Sequence, residues 1–319
     1  MDFVLDFERP VSELENQIRE LKQSSPQVDL TPEIQALTHK VEKLLEDIYL
    51  NLSPWERTQL SRHPNRPHAL DYIEKTITDF HEIHGDRHFA DDPTMITGFG
   101  FIGDQKVAVI GIEKGRKTQE KIKRNFGMAN PEGYRKALRV MQMASQFNIP
   151  VISFVDTPGA YPGIGAEERG QAQAIAINLE EMFNIKTPIV AVVIGEGGSG
   201  GALGIAIADK VLMMEYSVYS VISPESCASI LWNDPKMAET AANSLQLSPD
   251  KALELQVIDG IIKEPIGGAH RFPDRAIETV KNTIIAAIAE LKQKSPEELD
   301  EHRFNKFRQM GNITITDNE

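Results

Sequence analysis

One segment limits the possible folds of this chain more than any other. Residues 188–194 form a short apolar run, and they lead into residues 195–204, GEGGSGGALG, where six of ten positions are glycine. We call residues 195–204 the glycine segment. A short apolar run followed by glycines and small residues predicts a buried strand, a turn over residues 195–201 and a helix that begins near Gly200.

The glycine segment predicts a chemistry as well as a shape. The first N–H groups of a helix have no intrahelical partner and lie at the positive end of its dipole. Without side chains, a substrate oxygen can approach these groups closely, so negative charge developing on that oxygen would be stabilised. The alternative is that the glycines serve only the tight packing of helix on strand.

Further apolar runs alternate with amphipathic segments, which predicts an α/β layered domain with ligands at the carboxyl ends of its strands. Gly103 and Asp104 are typical of a hairpin turn between two of these strands. The predicted strands are residues 95–102, 106–112, 150–155, 188–194, 211–214, 218–222 and 257–262, and the predicted helices are 70–80, 131–147, 166–183 and, as the last long one, 275–294.

The first 62 residues differ from the rest. Apolar residues at helical spacing predict helices over 11–22 and 33–50, with a break at 24–26 and a helix start at Thr31. Two prolines in residues 62–67, RHPNRP, indicate a boundary. We therefore expect an N-terminal helical segment, residues 1–62, and a catalytic domain, residues 63–319.

Composition excludes several classes of protein. A formal charge of −13 argues against binding to nucleic acid or to an anionic membrane. The single cysteine, Cys227, excludes an internal disulfide framework and a cysteine-rich zinc site. No apolar stretch approaches the roughly 20 residues of a membrane span, and the acidic start is unlike a secretory signal, so we expect a cytoplasmic protein.

Residues 156–163, DTPGAYPG, follow a predicted strand in the same way as the glycine segment does. We call residues 156–163 the proline loop. Its start matches the D-x-x-G motif of GTPases. The phosphate-binding loop of those enzymes is lacking, however, and the most similar residues in this sequence are 115–118. Both loops are expected at the same edge of the sheet.

Three other patterns suggest competing sites. Residues 197–201 match the G-x-S-x-G elbow of serine hydrolases, with Ser199 as nucleophile and Asp209 or Asp259 with His270 as partners. The spacing of His81, His84 and His88 resembles a metal site, although Gly85 should end the helix between them. Residues 113–124 carry six basic and two acidic side chains, a pattern that fits either phosphate binding or a solvated helix face.

Six segments resemble, in order and spacing, the alpha subunits of bacterial- or plastid-type acetyl-CoA carboxyltransferases. The similarity runs from about residue 70 to His270 and more loosely into residues 5–15. Ile112 departs from the family pattern, which commonly has histidine at this position. The segments are residues 113–128, 130–139, 156–171, 195–204, 219–232 and 264–270.

The resemblance implies a crotonase-like (ClpP/crotonase) superhelix of ββα units with an N-terminal helical extension. In this family, backbone amides stabilise the biotin enolate left when carboxybiotin loses its carboxyl group, and acetyl-CoA becomes malonyl-CoA. On matching positions, Gly201 and Ala202 would donate these amides and Gly200 would shape the approach. The biotin pocket would be lined by Gly159, Ala160, Tyr161, Pro162, Gly163, Gly197, Gly198 and Ser199.

The resemblance also implies partners. Carboxybiotin would arrive on a separate biotin carboxyl carrier protein, charged by biotin carboxylase, and a beta subunit with a zinc ribbon would complete an α₂β₂ assembly for fatty acid biosynthesis. The present chain has no such ribbon and no Met-Lys-Met biotinylation site, the nearest text being residues 235–237, so we expect no metal and no attached biotin. Residues 114–124 are candidates for contacting the CoA phosphates or the beta subunit, with Lys114, Arg116 and Lys117 as the candidates for the phosphates.

Overall fold

A single eight-stranded sheet organises the molecule. The structure is a computed structural model, and it describes residues 3–23 and 31–311. The strands are β1 Thr78–Glu82, β2 Met95–Ile102, β3 Gln105–Ile112, β4 Val151–Thr157, β5 Ile189–Gly198, β6 Lys210–Met214, β7 Val218–Ser220 and β8 Gly260–Ile262. Their order is β1-β2-β3-β4-β5-β6-β8, with β7 beside the far end of β5. The first three strands are antiparallel and the others pair in parallel.

Helices cover both faces of the sheet, and four of those described precede its first strand in the chain. They are α1 Arg9–Gln23, α2 Thr31–Leu50, α3 Pro54–Ser61, α4 Ala69–Thr76, α5 Thr118–Lys123, α6 Pro131–Gln146, α7 Ile164–Glu168, α8 Gln171–Phe183, α9 Ser199–Leu203, α10 Pro224–Trp232, α11 Ala238–Leu245, α12 Pro249–Glu254, α13 Pro273–Leu291 and α14 Pro296–Gln309. Among the residues described, no helix combines the length and apolar character of a membrane span.

The central parallel strands, β4 and β5, are buried along almost their whole length and are mostly apolar, as expected where helices cover both faces of a sheet. Side chains alternate between the faces, so Phe154 packs with α4 and α13, whereas its neighbour Val155 packs with α6 and α8. This two-sided burial fixes the register of the central strands. The carboxyl ends of β3, β4 and β5 consequently lie side by side at one edge.

The N-terminal helices pack on the chain's own core. Val11, Leu45 and Tyr49 form an apolar cluster with Tyr216, which follows β6. The helix start predicted at Thr31 is confirmed, and the predicted break at residues 24–26 lies outside the described residues. The division at residues 62–63 stays a prediction.

Most predicted elements are confirmed, but the predicted helix over residues 70–80 is wrong at its end. The helix stops at Thr76, and residues 78–82 form β1, which pairs with β2 at the edge of the sheet. Pairing with β2 satisfies backbone groups that a longer exposed helix would have satisfied internally, so tertiary context decided the outcome.

Three further predictions fail near the glycines and at the C terminus. The helix predicted over 166–183 is broken at Gly170, whose φ of +82° starts a new helix, α8. The turn predicted over 195–201 is instead a strand as far as Gly198, followed directly by α9. The helix over 275–294 is not the last long one, because α14 follows it.

Candidate active site

The proline loop and the glycine segment meet at the carboxyl edge of the sheet. Thr157 of β4 pairs with Gly197 of β5, so both chains leave the sheet together. A Cβ atom on Gly198 would lie 2.2 Å from the carbonyl oxygen of Pro158, and one on Gly201 would lie 2.5 Å from the nitrogen of Ala160. Such distances are well inside van der Waals contact, so the two loops touch only because these positions are glycine.

Side chains from two neighbouring helices hold α9 in place. The Tyr134 hydroxyl of α6 donates to the carbonyl oxygen of Gly201 at 3.3 Å, and the Asn178 amide of α8 donates to that of Gly204 at 2.9 Å. Gly201 and Ala202 are buried. A Cβ atom on Gly200, in contrast, would make only an ordinary van der Waals contact with Ile175 at 3.8 Å, so a methyl group fits there.

Hydrogen bonds to neighbouring segments hold the proline loop in place. The Tyr161 N–H donates to the carbonyl oxygen of Ala129 at 3.0 Å, and the Gln171 amide donates to the carbonyl oxygen of Tyr161 at 2.9 Å. The Tyr161 ring lies against Gly163, where a Cβ atom would be 2.5 Å from the ring. Pro162 is exposed and Ala160 is half-buried. The loop therefore presents a fixed backbone beside α9.

Buried charges lie directly behind the two loops. The Lys114 ammonium is 2.7 Å from Asp156 Oδ1 and 2.8 Å from Glu196 Oε2, and Arg62 pairs with Glu196 and with Glu225. Burial alone would raise the pKa of Glu196, but Lys114 and Arg62 outweigh it and lower that pKa to about 2. For the same reason, burial opposes the charge of Lys114 while Asp156 and Glu196 raise its pKa.

Sequence reasoning missed most of this cluster. Residues 62–67 were interpreted as a boundary, yet Arg62 pairs with Glu196, and Arg66 binds both the carbonyl oxygen of Ile194 and the buried Glu264. Two signals in the sequence were available: a pair of arginines four residues apart, and a lone acid, Glu196, inside a run of glycines. Neither signal shows which distant residue the charged side chain pairs with.

The three predicted phosphate-binding residues are dispersed. Lys114 points inward to the carboxylates, Arg116 pairs with Asp71 and donates to the carbonyl oxygen of Pro64, and Lys117 is exposed at the start of α5. Their contact with CoA stays a prediction. Ile112, the departure from the family pattern, is wholly buried in the apolar core.

The serine hydrolase alternative is wrong. Among the described residues, the Ser199 side chain has no hydrogen-bond partner, and its proposed partners are occupied elsewhere. Asp209 binds Arg303, Asp259 binds Lys306 and His270 binds Glu8. A nucleophilic serine requires a base within hydrogen-bond distance, and none of these groups supplies one.

The histidine spacing at residues 81–88 does not build a metal site within the part of the chain that the structure describes. His81 lies in β1, and His84 faces Asp91 at 3.1 Å. Among the described residues, the side chains that lie close enough together to bind a metal ion are a different group, Glu8, His63 and His270.

In that group, Glu8 Oε1 already accepts hydrogen bonds from Tyr49 at 2.8 Å and from His270 at 3.0 Å. Arg271 lies 4.0 Å from the same carboxylate. A carboxylate satisfied in this way, beside a guanidinium, suits the attachment of the N-terminal helices better than the binding of a cation.

Comparison with solved structures defines the fold. A structure of transcarboxylase 12S, a hexamer with methylmalonyl-coenzyme A bound, superposes with a TM-score of 0.58 over 80% of this chain and 45% of that one, at 18% identity. The fold predicted from the sequence, a crotonase-like superhelix, is confirmed: this is the fold of the crotonase-like carboxyltransferases.

Sequence comparison then defines the family. The model of the family described as acetyl co-enzyme A carboxylase carboxyltransferase-like matches residues 4–311. The acetyl-coenzyme A carboxylase carboxyl transferase subunit alpha of Syntrophotalea carbinolica is 54% identical over 97% of this chain and 98% of its own, and that of Thermus thermophilus is 52% identical over 96% and 98%. The chain belongs to this family of carboxyltransferase alpha subunits.

Proposed function

We propose that this chain supplies the biotin side of the active site in the transfer of a carboxyl group from carboxybiotin to acetyl-CoA, giving malonyl-CoA for fatty acid biosynthesis. Carboxybiotin is a substrate here, carried by a separate biotin carboxyl carrier protein, and it supplies the carboxyl group. The chain's own contribution is to bind the ring and to stabilise negative charge on the ureido oxygen.

Backbone groups carry that contribution. Gly201, in the first turn of α9, has no intrahelical acceptor four residues back and would donate its N–H group to the oxygen, together with the N–H of the next residue, Ala202. The open space beside Gly159, where a Cβ atom would meet no other atom within 4 Å, would admit the ring, and Gly200 would shape its approach. Gly197, Gly198 and Ser199 would form one wall of the pocket.

The proline loop would form the other wall. Gly159, Ala160, Tyr161, Pro162 and Gly163 follow β4 and contact α9 through Gly159 and Ala160. Because Tyr161 is fixed to Ala129 and Gln171, this wall is already in place before a ligand arrives, which lowers the cost of binding. Arg116 and Lys117 would meet the CoA phosphates, whereas the Lys114 ammonium is held by Asp156 and Glu196.

Relatives named as an alpha subunit imply a partner subunit. We propose a zinc-ribbon beta subunit in an α₂β₂ assembly, working in the cytoplasm with the carrier protein and biotin carboxylase. Exposed apolar side chains flank the site at Ile164, Leu203 and Val221, and α10 adds Ile230 and Leu231. Apolar residues exposed in such number are typical of a surface that a partner covers.

The observation that carries the proposal is the contact between the first turn of α9 and the proline loop at Gly159, where a Cβ atom would meet no other atom within 4 Å. Its test is a malonyl-CoA decarboxylation assay with free biotin. We expect the purified chain to be nearly inactive and the addition of the beta subunit to restore the reaction. Equal activity without beta would overturn the proposed division of the site.

A further inference from the structure

The two loops owe their position to an irregularity in β5. Val155 of β4 faces Val193 of β5, and the next aligned pair is Thr157 with Gly197. One residue of β4, Asp156, is therefore opposite three residues of β5, 194–196. Such a bulge interrupts the ladder of hydrogen bonds and turns the chain that follows it, and bulges are frequent beside active sites.

Side chains replace the hydrogen bonds that the bulge breaks. The Arg66 guanidinium donates to the carbonyl oxygen of Ile194 at 2.7 Å, and Asp156 Oδ1 accepts the N–H of Glu196 at 2.9 Å. Buried backbone groups left without partners would be costly, so these contacts allow the bulge to persist. The bulge is held by charged groups that come from outside β5.

Lys114 closes this arrangement. It lies two residues after β3, and its ammonium bridges Asp156, which is opposite the bulge, and Glu196, which is the last residue of the bulge. Space for the bridge depends on glycine at two positions. A Cβ atom on Gly195 would lie 2.4 Å from Asp156 Oδ1, and one on Gly127 would lie 2.7 Å from Lys114 Cγ. Gly195 thus serves the buried charges, whereas Gly198 and Gly201 serve the contact between the loops.

We propose that Lys114 is a positioning residue for the reaction, and this rests on the proposed function. Asp156 begins the proline loop, and Glu196 precedes α9 by three residues, so the ammonium fixes the separation of the two walls of the pocket. With both carboxylates in contact, the Lys114 ammonium is turned away from substrate. Lys114 acts on carboxyl transfer through the direction of the α9 N–H groups.

The first test measures steady-state kinetics of the complex with beta for Lys114→Met and Lys114→Arg. A misplacement of the order of 1 Å typically costs about 10²-fold in rate. We expect Lys114→Met to lower kcat about 10²-fold and to leave the KM for malonyl-CoA within about threefold, with partial recovery in Lys114→Arg. A large rise in that KM with kcat retained would show a CoA contact and would overturn the proposal.

The matched control is Lys306→Met. Lys306 is as buried as Lys114, with 14% against 15% of the side chain exposed, and it also pairs with an aspartate, Asp259. It binds the carbonyl oxygens of Ala208 and Asp209, just before β6 and therefore at the opposite edge of the sheet. We expect its kcat to match the wild type, and an equal loss in both variants would reduce Lys114 to a purely structural role.

A second measurement does not depend on activity. Hydrogen–deuterium exchange of the purified chain should rise in Lys114→Met within residues 157–163 and 196–204 alone. Unchanged exchange in both segments would overturn the proposal. An inactive wild-type complex would count against the proposed function only. Should Lys114→Met fail to fold, Lys114→Met with Glu196→Gln removes one charge of each sign, and the same local rise is expected.

Discussion

Two buried charge networks stabilise opposite edges of the same sheet. At the amino edge, Arg303 of α14 is wholly buried, and its five N–H donors bind Asp209 and the carbonyl oxygens of Met182, Ile185 and Thr187. At the carboxyl edge, Lys114 and Arg62 bind Asp156, Glu196 and Glu225. The first network joins a helix to the starts of strands, and the second holds a bulge from which two loops leave the sheet.

The difference teaches how one sheet separates stability from chemistry. A closed network such as that of Arg303 uses every donor and gains nothing from a ligand. At the carboxyl edge, the charged groups also pair with one another. The segment that they hold in place, however, leads into α9, and the first N–H groups of a helix have no intrahelical partner. Substitutions at the amino edge should therefore change the free energy of unfolding alone, whereas substitutions at the carboxyl edge should change the rate as well.

The largest effect is expected from Arg303→Met, which removes the centre of the amino-edge network. Asp209 would remain buried without a cationic partner, and breaking a buried pair in this way costs about 3–5 kcal/mol. Chemical denaturation would measure the loss. We expect kcat per folded complex to be unchanged, and a fall in kcat that exceeds the unfolded fraction would break the separation between the two edges.

The second effect is on the rate and belongs to the contact between the loops. Gly201→Ala places a methyl group 2.5 Å from the Ala160 nitrogen, so the proline loop must move away from α9. Displacing one oxyanion-type donor typically costs about 10²–10³-fold in kcat. Decarboxylation kinetics of the complex would measure the loss.

Gly200→Ala is the comparison for that variant. Its methyl group meets no protein atom closer than 3.8 Å, so the fold should tolerate it, and any loss of activity would come from crowding of the biotin ring. We expect the KM for free biotin to rise in Gly200→Ala, with unchanged unfolding. If Gly201→Ala retained full activity, the contact between the loops would have no role in the reaction.

The sequence predicts the fold well where burial decides it. Long apolar strands such as residues 150–155 and 188–194 have one reasonable environment, so β4 and β5 were predicted within a few residues. The glycine segment likewise predicted a helix that begins near Gly200, and α9 begins at Ser199. These features are local, because the residues that carry the sequence pattern are the same residues that form the strand or helix.

What the sequence did not predict depends on partners distant in the chain. Arg62 and Glu196 are 134 residues apart, and Arg303 and Asp209 are 94 apart. Nothing in a single sequence pairs them. The strand β1 was missed for a similar reason, since residues 78–82 become a strand only because β2 is beside them. Gly195 was assigned to the turn, but its close neighbour is the Asp156 carboxylate.

The smallest effect concerns the pH dependence of the carboxyl-edge network, and Glu196→Gln isolates it. The pKa of Glu196 is about 2 in the folded chain against an ordinary value of 4.5. A carboxyl group with a lowered folded pKa contributes stability above its unfolded pKa and loses it as the pH falls toward the folded value. The contribution is on the order of 3 kcal/mol at neutral pH.

Urea unfolding of wild type and Glu196→Gln between pH 7 and pH 3 would measure this contribution. We expect the difference in unfolding free energy to be constant above about pH 5.5 and to shrink by about 1.4 kcal/mol per pH unit below about pH 4.5. Glu254→Gln is the control, because Glu254 belongs to an exposed pair with Lys251, and such pairs contribute little. A difference that did not change with pH would mean that Glu196 acts by shape rather than by charge, and the contrast between the two edges would then rest on Lys114 and Arg62 alone.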